Sequence, residues 1–218
     1  MARCQAILFD MDGTLVDSTY CVEEIWGRWA QRNGLELSAI LAASHGRRTV
    51  DTLREIAPHL DVEREAQRLD AEELQTKDGI EGVPGAAALL CLLPPDRWAV
   101  VTSASRALAE LRLRCADLPI PCTLVSGDDV AEGKPSPAGY QLAAALLRVP
   151  PEECLVVEDT PAGILAGRRA GMQVLAVTTT YTPDCLLGSP WIKDFREARI
   201  TVTPSGIELR TRQGRISR

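Results

Sequence analysis

Two carboxylates at the end of a short apolar run constrain this chain more than any other feature. The run Ala6–Phe9 is followed by Asp10 and Asp12, with one residue between them, and then by Gly13. An unbroken apolar run of this length is typical of a parallel strand that is covered on both faces. The strand would deliver Asp10 to the carboxyl edge of a sheet, where open α/β folds keep their sites. Gly13 would allow the tight turn that follows Asp12.

Two acids this close repel each other, so a folded protein needs a cation, a shared proton or solvent to hold them. Mg²⁺ is the simplest partner, since it prefers oxygen ligands and leaves room for a phosphate. The alternative is a solvated turn in which an Asp merely caps local structure. A buried strand that leads directly into Asp-x-Asp-Gly-Thr is much more specific, and it favours the metal site.

Composition excludes several classes of protein. The chain has 218 residues, enough for one core or for one core and a small second unit. Its net charge of −6 argues against a nucleic-acid surface, which would need a basic patch. Seven scattered cysteines without a Cys-x-x-Cys pair indicate reduced, mostly buried thiols. The longest apolar run, 86–93, is far shorter than the roughly 20 residues of a membrane helix. We therefore expect a cytoplasmic protein without nucleic-acid or membrane partners, and a monomer by default.

A helical pattern follows the acidic turn. Apolar residues recur at three- and four-residue steps until Asn33, and two further helices are predicted to end at Pro58 and Gly79. No convincing strand lies between the first strand and Gly79. The segment 16–79 is therefore predicted to be an all-helical insertion, with its tryptophans forming its core.

Strands and helices alternate in the rest of the chain. The strands are predicted at 98–102, 123–126, 154–157 and 173–177, with a helix between each pair. This alternation implies a parallel sheet with right-handed crossovers. Residues 199–209 alternate around a Pro-Ser-Gly turn, which predicts a terminal hairpin. The expected fold is an α/β protein with a Rossmann-like, doubly wound parallel-sheet core, residues 1–15 and 80–218, and a small helical domain, 16–79, inserted after the first strand.

One further strand end and one Gly-Lys-Pro stretch carry groups that suit a phosphate. Thr102 and Ser103 precede a predicted helix, where hydroxyls and backbone N–H groups can hold an anion; an ordinary N-cap is the alternative. Lys134 lies between Gly133 and Pro135, which bias its backbone away from a helix. A rigidly placed ammonium suits a phosphoryl oxygen, whereas a surface lysine would not need these neighbours.

Glu158 and Asp159 end another predicted strand. The helix dipole stabilises acids near a helix N-terminus, and this would explain Asp159 in part. It would not explain why acid pairs occur at two separate strand ends. Four carboxylates that converge without a cation would strongly destabilise the fold, so this pair strengthens the prediction of a metal.

These four stretches, in this order, resemble the signature motifs of the haloacid dehalogenase-like phosphohydrolases, and the resemblance covers almost the whole chain. It implies that Asp10 is the nucleophile and Asp12 the general acid and base. It implies that the phosphate is bound by Thr102, Ser103 and Lys134. It also implies a Mg²⁺ ion whose ligands are Asp10, Asp12 through its backbone carbonyl, Glu158 and Asp159. Because the insertion lies between the first two motifs, it resembles the C1 cap of the subgroup with β-phosphoglucomutase and small sugar or polyol phosphatases, most closely the bacterial sugar (hexitol) phosphatases.

The resemblance implies Mg²⁺-dependent hydrolysis of a small sugar or sugar-alcohol phosphate through an aspartyl-phosphate. The main alternative is a phosphosugar mutase. β-Phosphoglucomutases carry a cap His and a cap Arg, and Val22 and Thr49 stand at the aligned positions here, which favours hydrolysis. Dehalogenase relatives lack the second acid, so Asp12 argues against that activity. A non-catalytic binding module would be expected to have lost the acids or the lysine motif.

Substrate choice is predicted to lie in the loop 44–48 of the helical insertion. His45 and Arg47 could reach a sugar hydroxyl or a phosphate, and Gly46 between them would give flexibility. A solvated surface loop is the alternative for this stretch. The partner expected from all of these features is a small phosphorylated metabolite.

Overall fold

The structure is a computed structural model that describes residues 2–211. Met1 and residues 212–218, which the predicted core includes, lie outside the described residues. In chain order the strands are β1 Ala2–Cys4, β2 Ala6–Phe9, β3 Val16–Asp17, β4 Glu81–Gly82, β5 Trp98–Val101, β6 Thr123–Val125, β7 Cys154–Glu158, β8 Gln173–Val177, β9 Trp191–Ile192, β10 Ala198–Thr203 and β11 Gly206–Thr211. The α-helices are α1 Thr19–Asn33, α2 Leu37–Ser44, α3 Thr49–Ile56, α4 Val62–Gln75, α5 Ala86–Leu90, α6 Arg106–Cys115, α7 Ala138–Leu147 and α8 Pro161–Arg169.

A six-stranded parallel sheet with the order β6-β5-β2-β7-β8-β9 forms the centre of the molecule. Every residue of β2, β5 and β7 is buried, which explains why these strands read as unbroken apolar runs. Successive side chains point to opposite faces, so Ile7 and Phe9 belong to one apolar cluster and Ala6 and Leu8 to the other. Helices cover both faces, and the predicted α/β fold class is confirmed.

Helices α1 to α4 lie together between β3 and β4. Trp26 and Trp29 of α1 are buried with their rings edge to face at 5.5 Å, so the expectation that they form core is confirmed. The Trp29 Nε1–H group also donates to Glu65 Oε2 of α4 at 2.8 Å. The predicted division of the chain into a core and a separate helical cap stays a prediction.

Five short elements differ from the sequence-based expectation. Strand β3 lies within the segment expected to hold no strand, and it pairs antiparallel with β4, which was not predicted as a strand either. Each of the two has two residues, too few for a pattern. Helix α2, LSAILAAS, was not predicted because it lacks a clear polar stripe. Strands β1 and β9 were also missed, and they have three and two residues.

The described part of the chain ends in the predicted hairpin. Strands β10 and β11 pair antiparallel from Ala198 with Thr211 to Thr203 with Gly206, which confirms it. Strand β1 extends this pair into a separate three-stranded sheet. Among the described residues no helix has the length and apolar character of a membrane span.

The seven thiols are unpaired, but fewer are buried than expected. Three are buried and three exposed, the exposed ones being Cys91, Cys122 and Cys185. These three lie at chain turns outside the central sheet, where a small apolar side chain has no core to join. The cytoplasmic location and the monomeric state stay predictions.

Candidate active site

The ends of β2 and β7 bring the predicted acids together. The strands pair in parallel as far as Phe9 and Val157, and the Asp10 N–H group donates to the Val157 carbonyl at 2.9 Å. Beyond this point lie three buried carboxylates, Asp10, Glu158 and Asp159, each of which has an oxygen within 4.8 Å of the others. Two strand ends at the same edge of one sheet thus form a compact acidic cluster, which we call the carboxylate cluster.

Lys134 places the one buried ammonium of this region against the carboxylate cluster. Its Nζ donates to Asp10 Oδ1, to Glu158 Oε1 at 2.7 Å and to the Val101 carbonyl at 3.1 Å. The Lys134–Pro135 peptide bond is cis. The residue is 7% exposed, so solvent screens these interactions little.

Glu158 is bound by donors on both carboxylate oxygens. Oε1 accepts from Lys134 and from the Tyr140 hydroxyl at 3.0 Å. Oε2 accepts from the N–H groups of Asp159 and Thr160, at 3.0 and 3.1 Å, and from the Thr160 hydroxyl at 3.0 Å. Five donors leave this carboxylate firmly oriented and largely satisfied. Sequence reasoning missed Tyr140 because it lies on an apolar helix and reads as core.

Asp159 is held by two threonines and by the turn of the first motif. The Thr14 hydroxyl donates to Oδ1 at 2.9 Å, and the Thr180 hydroxyl donates to Oδ2. Gly13 has φ +80°, and a Cβ there would lie 2.1 Å from Asp159 Oδ2. The first motif needs glycine at this position both for its backbone conformation and for the close approach of Asp159. Nothing in the sequence around Thr180 signals its role, which depends on the tertiary fold.

The charges of the carboxylate cluster are not balanced by protein groups. Burial raises the pKa of Asp10 well above its ordinary value, and Glu158 and Asp159 add to this effect. Burial likewise raises the pKa of Asp159 to about 7. For Lys134 burial opposes the charge, but the Asp10 and Glu158 carboxylates outweigh it and raise the pKa. Three acids therefore face one ammonium, and a divalent cation with oxygen ligands fits both the charge deficit and the donor set.

Asp12 lies outside the carboxylate cluster. Its Oδ1 accepts from the Ser18 hydroxyl at 2.7 Å, and its Oδ2 pairs with Arg112 Nη1 at 2.9 Å. Its side chain is 27% exposed. The carboxylate is therefore occupied by other partners, and a metal contact from Asp12 would have to use its backbone carbonyl. Arg112 was not predicted because it reads as one of several basic residues on an amphipathic helix.

The predicted phosphate seat lies at the end of β5. Thr102 is buried, and its hydroxyl accepts from the Ala104 N–H group at 3.1 Å. The Ser103 hydroxyl donates to the Gly46 carbonyl at 2.9 Å, which joins the seat to the loop between α2 and α3. Helix α6 begins shortly after, capped by the Ser105 side chain.

A cavity of about 530 Å³ contains most of the predicted site residues. The loop 44–48 forms part of its wall. The predicted residues that line it are Asp10, Asp12, His45, Arg47, Thr102, Ser103 and Asp159. Lys134 and Glu158 do not line this cavity; they contact Asp10 and Asp159 from the buried side.

The two predicted substrate residues of the loop already have protein partners. His45 Nδ1 lies 3.3 Å from the Tyr181 hydroxyl, and burial lowers its pKa. Arg47 Nη1 pairs with Glu55 Oε2 at 2.6 Å. Neither contact removes these side chains from the cavity wall. Their roles in binding stay predictions.

Comparison with known proteins decides the family. A model of the haloacid dehalogenase-like hydrolases matches residues 4–171, which include all four motifs. The chain belongs to the haloacid dehalogenase-like hydrolase family. The resemblance stated from the sequence is thereby confirmed.

Named relatives span nearly the whole chain. Hexitol phosphatase A of Escherichia coli (strain K12) is 44% identical over 210 residues, which are 94% of this chain and 97% of that protein. Validoxylamine A 7′-phosphate phosphatase of Streptomyces hygroscopicus subsp. limoneus is 36% identical, with coverages of 88% and 94%. The crystal structure of CbbY from Rhodobacter sphaeroides in complex with phosphate has a TM-score of 0.72 at 26% identity and covers 89% of this chain and 96% of that one. The predicted enzyme class, a phosphatase, is confirmed.

Proposed function

We propose that this enzyme is a Mg²⁺-dependent phosphatase of small sugar or sugar-alcohol phosphates that works through an aspartyl-phosphate. The observation that carries the proposal is the buried carboxylate cluster, whose Asp10 and Asp159 line a cavity of about 530 Å³ while Lys134 contacts the cluster from the buried side. With a divalent cation bound to these acids, such a site would suit the transfer of a phosphoryl group between oxygens. The names of the relatives support phosphorylated sugars and sugar alcohols as the substrate class.

The metal would be held by the Asp10 and Asp159 carboxylates and by the Asp12 backbone carbonyl. Glu158 also belongs to the predicted metal set, but its five donors suit it better to holding Lys134 in place. The bound ion would neutralise negative charge on the phosphoryl oxygens. It would also oppose the burial, and the repulsion from Glu158 and Asp159, that raise the pKa of Asp10, and so favour the ionised nucleophile.

The chain's own residues account for both steps of the reaction. Asp10 attacks phosphorus, and the bond from phosphorus to the ester oxygen breaks as that oxygen takes a proton from Asp12. Asp12 then takes a proton from water as the water attacks the aspartyl-phosphate. Inorganic phosphate leaves and Asp10 returns to its carboxylate. Lys134 orients Asp10, while Thr102 and Ser103 bind phosphoryl oxygens at the cavity wall.

The other end of the cavity suits a neutral, hydroxylated group. Polar side chains that can bind hydroxyls line it, including Glu23, Gln67 and Asp70. The arginines of the lining are all paired with acids: Arg47 with Glu55, Arg48 with Asp51, and Arg112 with Asp12 and Glu73. A second phosphate would thus meet no uncommitted arginine in the described lining. This favours monophosphates and argues against a mutase, which must bind a bisphosphate.

A screen of phosphorylated metabolites tests the proposal. Phosphate release would be measured with Mg²⁺ and with excess chelator, while product analysis follows the sugar. We expect one phosphate per substrate consumed, and loss of turnover on chelation. An isomerised sugar phosphate without phosphate release would instead support the mutase, with Val22 and Thr49 of the cavity wall in place of the mutase His and Arg.

A further inference from the structure

Arg112 connects the first motif to the helical insertion. It lies on α6 and is 3% exposed. Its Nη1 pairs with Asp12 Oδ2 at 2.9 Å, and its Nη2 pairs with Glu73 Oε2 of α4 at 3.0 Å. Glu73 is itself 6% exposed. A buried arginine that is paired with two carboxylates has a fixed position. If it moved away, its own charge and those of its partners would lose their compensation.

The partners of Asp12 distinguish its two oxygens. Oδ2 faces the guanidinium of Arg112, which can donate hydrogen bonds but cannot accept them. A proton on Oδ2 would therefore point at a donor. Oδ1 faces the Ser18 hydroxyl at 2.7 Å, and a hydroxyl can rotate to donate or to accept. Only Oδ1 is compatible with both protonation states of Asp12.

We propose that Arg112 is a positioning residue that orients Asp12 so that Oδ1 carries the proton transferred in catalysis. This inference rests on the proposed phosphatase activity. When the ester bond breaks, the proton moves from Oδ1 to the leaving oxygen, and the carboxylate that remains is paired with Arg112. In the second step Oδ1 takes a proton from the attacking water. Glu73 pairs with the second terminal nitrogen of the guanidinium, and so α4 is connected to the acid–base residue through Arg112.

A leaving-group series tests this role. For the wild-type enzyme and Arg112→Met, kcat/KM would be measured for substituted phenyl phosphates and for a sugar-alcohol phosphate. This ratio reports the steps up to departure of the alcohol, where Asp12 donates its proton. General acid catalysis contributes about 10²–10⁴-fold to a reaction rate. A nitrophenolate leaving group needs little of this assistance. We expect Arg112→Met to lose at least about tenfold more activity on the sugar-alcohol phosphate than on p-nitrophenyl phosphate.

Matched variants separate positioning from general damage. Arg114→Met removes an arginine from the same helix whose side chain is 62% exposed and pairs with Glu110, and it should leave the leaving-group dependence unchanged. Arg112→Lys keeps the charge and should recover part of the loss. If Arg112→Met does not fold, the double variant Arg112→Met with Glu73→Gln removes both buried charges and should show the same steeper dependence.

Two results would overturn the inference. One is an equal loss of kcat/KM for all esters, and the other is a gain on the sugar-alcohol phosphate, which would mean that Arg112 restrains Asp12. The proposed function fails in a different way, by absence of phosphate release from every ester in the wild-type enzyme.

Discussion

Lys134 is the residue on which the stability of the site depends most. It contacts both Asp10 and Glu158, and the side chains of all three are at most 6% exposed. Removing one partner of a buried ion pair is strongly destabilising because the other charge stays buried without compensation. Here one substitution would leave two carboxylates in that condition.

We expect Lys134→Met to lower the free energy of unfolding by about 3–5 kcal/mol at neutral pH and to abolish turnover. Urea unfolding followed by circular dichroism measures the first effect, and a phosphate-release assay the second. Lys77→Met, at an exposed position, is the control and should change neither. A Lys134→Met protein as stable as the wild type would show that the ammonium does not balance the cluster.

The sequence predicted the acids and Lys134 because each follows a recognisable strand end or lies in a Gly-Lys-Pro stretch. It did not predict Tyr140, Thr180 or Arg112. Their contacts with Glu158, Asp159 and Asp12 join residues 18, 21 and 100 positions apart. Such partners follow from the packing of elements, and nothing in their local sequence distinguishes them from ordinary core or surface residues.

Helix α8 shows how an element supports the site. Gly163 lies in its first turn, and a Cβ there would lie 1.6 Å from Glu158 Oε1. Gly27 lies inside α1, and a Cβ there would meet only Leu37 Cδ2 at 3.7 Å. Both are helical positions, so alanine improves helix propensity at each, but only one position has room for it.

We expect Gly27→Ala to stabilise the protein by about 0.5–1 kcal/mol. Gly163→Ala should destabilise it and reduce kcat, because Glu158 must move and Lys134 loses a partner. Thermal unfolding and steady-state kinetics on both variants provide the comparison. A stable, fully active Gly163→Ala enzyme would mean that the position of Glu158 is not critical.

The contact between α4 and α6 predicts a dependence of stability on pH. Burial raises the pKa of Glu73 from 4.5 to about 7, although Arg112 works in the opposite direction. The folded chain therefore binds this proton more tightly than the unfolded chain does. The stabilisation that the bound proton provides is complete below about pH 4.5 and is lost as pH rises to about 7. The pKa shift corresponds to a loss of about 3 kcal/mol at most in the free energy of unfolding.

Glu73→Gln should remove this contribution, since the amide does not titrate. Unfolding free energies at pH 5 and pH 7.5 would be compared for the wild type and the variant. We expect the wild type to lose more stability than the variant between the two pH values. An identical loss in both proteins would show that Glu73 titrates normally in the folded state.

Periodic helices and the unbroken apolar strands of the central sheet were predicted well, whereas most of the shortest elements were not. Helix α1 ends at Asn33, as its pattern and Gly34 predict, with Gly34 at φ 66°. Strands β1, β3, β4 and β9 have two or three residues each and carry no pattern that could reveal them. Helix α2 is apolar on most sides, so its position depends on packing against α1 and α3.

At the scale of the whole molecule, the loop between α2 and α3 closes the cavity against the core. Gly46 accepts from Ser103, and a Cβ on Gly46 would lie 2.4 Å from Thr160 Oγ1. Arg48 donates to the Val130 carbonyl at 3.0 Å. His45 and Arg47, on either side of Gly46, line the cavity, so the loop is well placed to select substrates.

We expect His45→Ala and Arg47→Ala to raise KM for sugar phosphates by about two- to tenfold, the equivalent of one lost hydrogen bond. KM for p-nitrophenyl phosphate should change much less, because its ring offers no hydroxyls to these side chains. Steady-state kinetics on both substrates makes the test. Equal changes for the two substrates would assign the loop a structural role only.

The central claim is that the carboxylate cluster acts through a covalent phosphate on Asp10, and acid quenching during turnover tests it most directly. Reduction of the quenched enzyme with borohydride converts an aspartyl-phosphate to homoserine, which peptide mass spectrometry locates. We expect homoserine at position 10 in the wild type, and neither homoserine nor phosphate release in Asp10→Asn. Near-normal turnover of Asp10→Asn, or trapping at another residue, would contradict the account.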